Sequence, residues 1–343
     1  MPESSFYHFT LDGKPVQLET LDQALHAMKK GGYIWLNYIQ PTKDELTLLI
    51  NPLGLHPLSI EDCLNENQIP KIEEYPRYTF LLFNIINYTR GEISIDEADM
   101  FIGADFLVTV TGHNSENKQL INNLEHIIKQ HPDNIQQGPA FFLHLILDHI
   151  IDQKFVVIEM LEDELDKSED NILSDLPTFN PAALLHMRRN LLALRKSLFH
   201  EREIFVKICR KDCLFIPEKL LFLYRDIYDH LTIFFELIET SREIVTSLME
   251  MYLSLLNNQM AQTANKTNST VRRLTFITTI FMPLSLLAGI GGMSEYSMMT
   301  NPGNWRIAYP AFLLGMLIMG IAAYYLLKRL EKKDQQTDLP STK

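Results

Sequence analysis

The chain has 343 residues, more than one ordinary domain needs, with 46% hydrophobic and 22% charged residues and a mean hydropathy of -0.05. Its formal net charge of -12 argues against nucleic acid as a partner, because phosphates would be repelled. The three cysteines, Cys63, Cys209 and Cys213, form no disulfide framework and suit a reducing compartment; no further ligand lies near Cys209 and Cys213 to complete a zinc site.

The N-terminal stretch "MPESSFYHFTLDGKPVQ" has no basic region followed by an apolar run, so no signal peptide is expected and the N-terminal part should stay on the side where it is made. Residues 1–112 alternate short β-like and helical runs. "GYIWLNYI" (32–39), "RYTFLLFNIINYT" (77–89) and "DMFIGADFLVTVTG" (99–112) are rich in aromatic and branched residues and read as strands. "ETLDQALHAMKK" (19–30) and "TKDELTLLINPL" (42–53) read as helices, the second opened by Thr42 with Glu45 in capping-box spacing. From about residue 114 the strand signal stops, and amphipathic stretches occupy 113–217, broken at Pro132, at "DLPTFNP" (175–181) and near Pro217. Residues 218–282 contain neither Pro nor Gly, so a single rod of roughly 100 Å is expected to run through the stalk region, 218–273, into the apolar C-terminal part.

That C-terminal part is different material. Residues 274–293 and 307–327 are uncharged runs, each reaching about 30 Å as a helix, the thickness of the hydrocarbon core. Arg272 and Arg273 precede the first span and "KRLEKK" (328–333) succeeds the second, whereas the loop at 294–306 has only Arg306. The positive-inside rule therefore puts both ends and the basic tail, 328–343, in the cytoplasm and the loop outside. Trp305 and Tyr309 stand where interfacial aromatics belong. Residues 272–343 hold eight Lys or Arg against four acids, which leaves a net charge of -16 on residues 1–271.

Two helices cannot enclose a water-filled path, so any permeation requires several copies of the chain. On the first span Asn268, Val271, Thr275, Thr278, Met282, Ser285, Gly289 and Gly292 recur at steps of three and four and share one stripe. Phe276, Ile277, Ile280, Phe281, Leu284, Leu286 and Leu287 fill the other faces. Small and hydroxylated residues fit the wall of a narrow pore and equally fit close helix packing, and the stripe alone leaves both readings open. No Walker A, HExxH, GxSxG or Gly-rich nucleotide loop occurs, which argues against an enzyme.

Several motifs, in order, resemble the CorA family of divalent-cation transporters. They are "LHPLSIEDCLNENQIPKIEEYPRYTFLL" (55–82), "MRRNLLALRKSLFHERE" (187–203), "YRDIYDHL" (224–231), "NKTNSTVRRLTFITTIFMPLSLLAGI" (265–290) and "WRIAYP" (305–310). The resemblance implies an α+β cytoplasmic domain followed by long stalk helices and two C-terminal transmembrane helices, assembled as a funnel-shaped homopentamer. The first span of each chain would then line the pore, making the stripe its wall.

One departure bears on the entrance. Family members carry Gly-Met-Asn at the outer end of the first span, and this chain has Gly292, Met293 and Ser294, followed by Glu295, the only acid between the spans. A serine ring is wider and offers hydroxyls instead of amide oxygens to a hydrated ion. Glu295 would gather cations at the lip; a lone solvated loop acid is the alternative reading. By motif position the resemblance also implies cytoplasmic metal-binding acids that hold the pore shut between neighbouring subunits: Asp62 paired with Asp226, Glu61 beside the first, and Asp166 as a looser match.

The implied function is uptake of a divalent cation, foremost Mg2+, with the ion as both substrate and regulator, no covalent cofactor, and copies of the chain and membrane lipid as partners in the inner (plasma) membrane. An inside-negative potential of about 100 mV supplies about 4.6 kcal/mol to a dication, so no nucleotide is needed. The alternatives are transport of Co2+, Ni2+ or Zn2+, proton-coupled as in the ZntB branch, and a non-conducting metal sensor. The stripe has no His or Cys, which favours hard, hydrated ions over softer ones.

Overall fold

The computed structural model describes residues 3–10, 15–65, 68–112, 137–291 and 305–337. The chain forms two compact units, Met1–Tyr252 and Leu253–Lys343. In the first unit seven strands build one sheet: β1 (Glu3–Phe9), β2 (Pro15–Leu18), β3 (Tyr33–Ile39), β4 (Lys71–Glu74), β5 (Tyr78–Thr89), β6 (Glu92–Gly103) and β7 (Phe106–Thr111). Their order is β2-β1-β3-β7-β6-β5-β4, and every neighbouring pair is antiparallel except β3 and β7.

Helices cover both faces of the sheet, which is why its central strands read as unbroken apolar runs. On one face lie α1 (Leu21–Met28), α2 (Lys43–Thr47), α3 (Ile50–Leu53) and α4 (Pro57–Leu64), whose Ala24, Leu46, Leu53 and Ile60 join Ile34, Leu36, Phe80 and Val108 in one core. Thr42 and Glu45 make both bonds of the capping box at the start of α2. On the other face α5 (Pro139–Ser174) sets Phe142 against Phe9 and Trp35, and α6 (Ala182–Cys209) sets Phe205 against Phe83.

The run 99–112 holds the end of β6 and all of β7, divided by a turn at Ala104 and Asp105. A Cβ on Gly103 would lie 2.3 Å from the Phe106 ring, so the turn closes only on glycine. β5 and β6 are joined through Arg90 and Gly91, both at positive φ (56° and 86°), as a two-residue hairpin turn of the right-handed twist requires. The four-residue edge strands β2 and β4 are too short and polar to show as alternation in the sequence.

The second layer is tied to the sheet by polar groups as well. Lys154 of α5 and Glu201 of α6 form an ion pair at 2.5 Å with neither side chain exposed, and the Lys154 ammonium stands 4.1 Å from the centre of the Phe83 ring. Ser197 donates to the same Glu201 oxygen at 3.0 Å, and Asn84 of β5 donates to Ser197 at 2.8 Å. Removing one partner of such a pair typically costs about 3–5 kcal/mol, since it strands the other charge.

After a short 3-10 turn at Glu218–Leu220, α7 runs unbroken from Leu221 to Gly291, 71 residues or about 105 Å. Its first part packs on α5 through Tyr224, Phe234 and their i+3/i+4 neighbours: Tyr224 Oη donates to the Ala140 carbonyl at 2.6 Å and Phe234 stacks on Phe155. From Leu253 onward its residues are exposed or half-exposed. The second unit contains this distal part and α8 (Trp305–Thr337), which continues well past the expected end of the span at Leu327.

Candidate functional site

Two groups of residues are singled out by the sequence, one on each unit. In the second unit Asn268, Val271, Thr275, Thr278, Met282, Ser285 and Gly289 all lie on α7 and all are exposed. The half-exposed residues of this segment are Phe276, Ile280, Leu284 and Leu287, again at steps of three and four, on the opposite face. That opposite face is where α8 packs: Gly320 faces Leu284 Cδ1, and a cleft of about 290 Å³ is lined by Phe276, Ile280 and Phe281 on α7 with Tyr324 and Leu327 on α8. Bulky residues thus fill the contact between α7 and α8, and among the described residues none covers the small and hydroxylated stripe.

The chemistry of the stripe is that of an acceptor surface. Thr275 Oγ1 donates to the Val271 carbonyl at 2.9 Å and Thr278 Oγ1 to the Leu274 carbonyl at 3.0 Å. With their protons spent inside the helix, these hydroxyls offer lone pairs outward, as a cation or its waters require. Pro283 continues the helix without an N–H, so the Thr279 carbonyl beside the stripe loses its usual intrahelical donor. Gly292, Met293, Ser294 and Glu295 lie outside the described residues.

The acids marked by the family motifs sit in the first unit. Glu61 is exposed on α4, and its neighbour Asp62 is tied down: Lys71 Nζ approaches Oδ2 at 2.6 Å and Gln68 Nε2 donates to Oδ1 at 3.2 Å. Asp226 is exposed on α7, with His230 Nε2 one turn on at 3.6 Å. Asp166 is exposed on α5. Within one chain Asp62 and Asp226 are held by different partners. Among the described residues no group of three or more His, Cys, Asp or Glu is arranged to hold a metal ion. Asp62, Asp226 and Glu61 are hard oxygen donors of the kind Mg2+ takes, one or two of them at a time beside the waters the ion keeps.

The structure adds Asp148 and His144 of α5, which no sequence motif marks. Burial pushes the Asp148 carboxyl up from its ordinary value; His144 opposes the rise, and the charges of Asp152 and Asp226 add to it. Burial holds the His144 imidazole below its ordinary range against the pull of Asp148 and Asp226. Asp226 is therefore one edge of an α5–α7 patch containing Asp148, His144 and His230. The i, i+4 spacing of Asp148 with His144 and of Asp226 with His230 was the available signal, though it cannot show that the two pairs face each other.

The family model that describes CorA-like Mg2+ transporter proteins matches residues 30–329. The chain is 30% identical over 285 residues to the cobalt/magnesium transport protein CorA of Thermotoga maritima, covering 82% of this chain and 76% of that one. It is 27% identical over 279 residues to the cobalt/magnesium transport protein CorA of Methanocaldococcus jannaschii, covering 80% and 84%. The complete structure of the Methanocaldococcus jannaschii CorA magnesium transporter superposes with a TM-score of 0.70 at 23% identity, covering 95% of this chain and 97% of that one, which establishes a shared fold.

Proposed function

The chain belongs to the family of CorA-like Mg2+ transporters, and from that premise we propose that copies of it, five in the reading given by the family likeness, assemble around the α7 stripe into a path for hydrated divalent cations. It is a divalent-cation transporter and not an enzyme. Mg2+ is the substrate this reading favours, with Co2+ next, in keeping with the names of its relatives. The observation that carries the proposal is the uncovered stripe: α8 occupies the opposite face of α7, and among the described residues nothing of the same chain covers the acceptor-rich face.

Lipid is a poor partner for that face. Outward lone pairs and a freed carbonyl gain nothing from hydrocarbon, whereas a ring of copies gives them ions and water. In this reading both termini are cytoplasmic, the membrane is the cell's inner membrane, and an inside-negative potential drives entry. Rising internal metal bridges Asp62 of one copy to Asp226 of the next and stabilises the closed state, with Glu61 and Asp148 adding negative potential around the bridge and Asp166, about 27 Å from Asp148 along α5, a separate candidate ligand.

Reconstituted into liposomes with an inside-negative potential, the protein should take up Mg2+, with Co2+ and Ni2+ competing and Zn2+ competing less. Uptake should track the potential and not an imposed proton gradient. Flux that requires the proton gradient would move the protein to proton-coupled transport, and no flux with intact assemblies would make it a metal sensor.

A further inference from the structure

Both oxygens of the Asp62 carboxylate are engaged within the chain. Lys71 Nζ takes Oδ2 at 2.6 Å, and Gln68 Nε2 donates to Oδ1 at 3.2 Å and to the Asp62 main-chain oxygen at 2.8 Å. Lys71 also reaches Glu73 Oε1 at 3.1 Å, and the other Glu73 oxygen accepts from Tyr75 Oη at 2.9 Å. The Lys71 and Asp62 side chains are only 29% and 24% exposed, and the ammonium stands 5.8 Å from the centre of the Phe80 ring. The pair is thus seated between the end of α4 and strand β4, partly shielded from water.

We infer that Lys71 is a built-in counter-cation for Asp62, which a divalent ion must displace to use that carboxylate, so that Lys71 sets the internal metal concentration at which the gate closes. This rests on the reading of Asp62 as a gating ligand. A metal or its first-shell water needs an Asp62 oxygen; Oδ2 is held by the Lys71 ammonium and Oδ1 only by the neutral Gln68 amide, and a second cation on either oxygen would stand beside that ammonium and be repelled by it. The exchange is accessible because the ammonium is not stranded when it leaves: Glu73, held in place by Tyr75, remains within reach of the same Nζ. It favours the dication once metal is abundant, since two charges replace one beside the carboxylate, and favours lysine when metal is scarce. Glu61 and Asp226, which have no such lysine partner among the described residues, would supply attraction without this threshold.

The test is a Mg2+ titration of the purified full chain, read both by the rise in its thermal unfolding temperature and by inhibition of uptake into liposomes from the cytoplasmic side. Lys71→Gln should lower the half-saturating Mg2+ by about threefold to fivefold, as expected for loss of a partly exposed ion pair. Lys71→Arg, which keeps the charge, should stay within about twofold of the parent. In an Asp62→Asn background Lys71→Gln should have no effect, because there is no carboxylate left to free. Lys71→Met, which keeps the stem against Phe80, gives the same reading if Lys71→Gln fails to assemble. An unchanged half-saturation would overturn the inference, and a raised one would show that Lys71 positions Asp62 for metal instead of competing with it. If Asp62→Asn alone leaves half-saturation where it was, the gating role of Asp62 fails and the inference with it. If Asp62→Asn raises it while Lys71→Gln does nothing, the gating role stands and only the inference falls.

Discussion

Asp99 shows what one residue's surroundings do to its chemistry. It lies on β6 beneath α4, fully buried, with neither carboxyl oxygen in a regular hydrogen bond and the Cys63 thiol beside it. Burial, reinforced by the Glu97 charge, pushes its carboxyl up to about 8 from an ordinary value of 3.8. The native state therefore keeps a proton that the unfolded chain releases, and stability is lost as pH rises from about 4 to about 8. Asp99→Asn keeps the shape without the charge, so its unfolding temperature should exceed the parent's by an amount that grows from pH 5 to pH 8. A difference of about 2 kcal/mol at the alkaline end would appear as roughly 5 °C. A gap that does not vary with pH would mean that Asp99 is not held neutral. Asp62 and Asp99 look alike in sequence; contacts from α4 and β4 leave one paired to lysine and the other protonated.

At the scale of elements α7 is one helix serving two environments. Its proximal part is amphipathic and buries Tyr224, Ile227, Leu231, Phe234 and Ile238, and its distal part exposes Leu274, Phe281 and Leu286 as only a membrane or other copies would cover. The rod and both spans were legible because helical periodicity and runs of uncharged residues are local properties. The side of the rod on which α8 packs was not, since small and hydroxylated residues suit close helix packing as well as a pore wall. Gly289→Leu places a large side chain on the uncovered stripe and should reduce uptake at least about tenfold with assembly intact. Leu286→Ala, off the stripe, should stay within about threefold. Uptake lost equally in both variants would remove the stripe as the path.

For the whole molecule the division of charge matters most. The first 271 residues carry the chain's negative charge and the remainder is net basic, so in the proposed orientation the attraction for a cation lies on the cytoplasmic side. Glu295, outside the described residues, is the only acid between the spans. Glu295→Ala should lower uptake at dilute external Mg2+ by roughly threefold and leave the saturated rate nearly unchanged, since a charged mouth raises local concentration without forming the path. Equal loss at both concentrations, measured in the same liposomes, would rule out that role.

What the sequence by itself determined is what local pattern can carry: the helical rod, two spans, the capping box at Thr42, the lack of nucleotide and catalytic motifs, and the ordered motifs that mark the family. Tertiary structure alone decided that β3 pairs in parallel with β7, that 99–112 turns back at Ala104, that α5 brings Asp148 and His144 to Asp226, and that Lys71 holds Asp62. The reason is physical. Periodicity and hydropathy are set by neighbours along the chain, whereas strand order, burial of a carboxylate and the choice of its counter-cation depend on segments far apart in sequence and on which of them share one desolvated core.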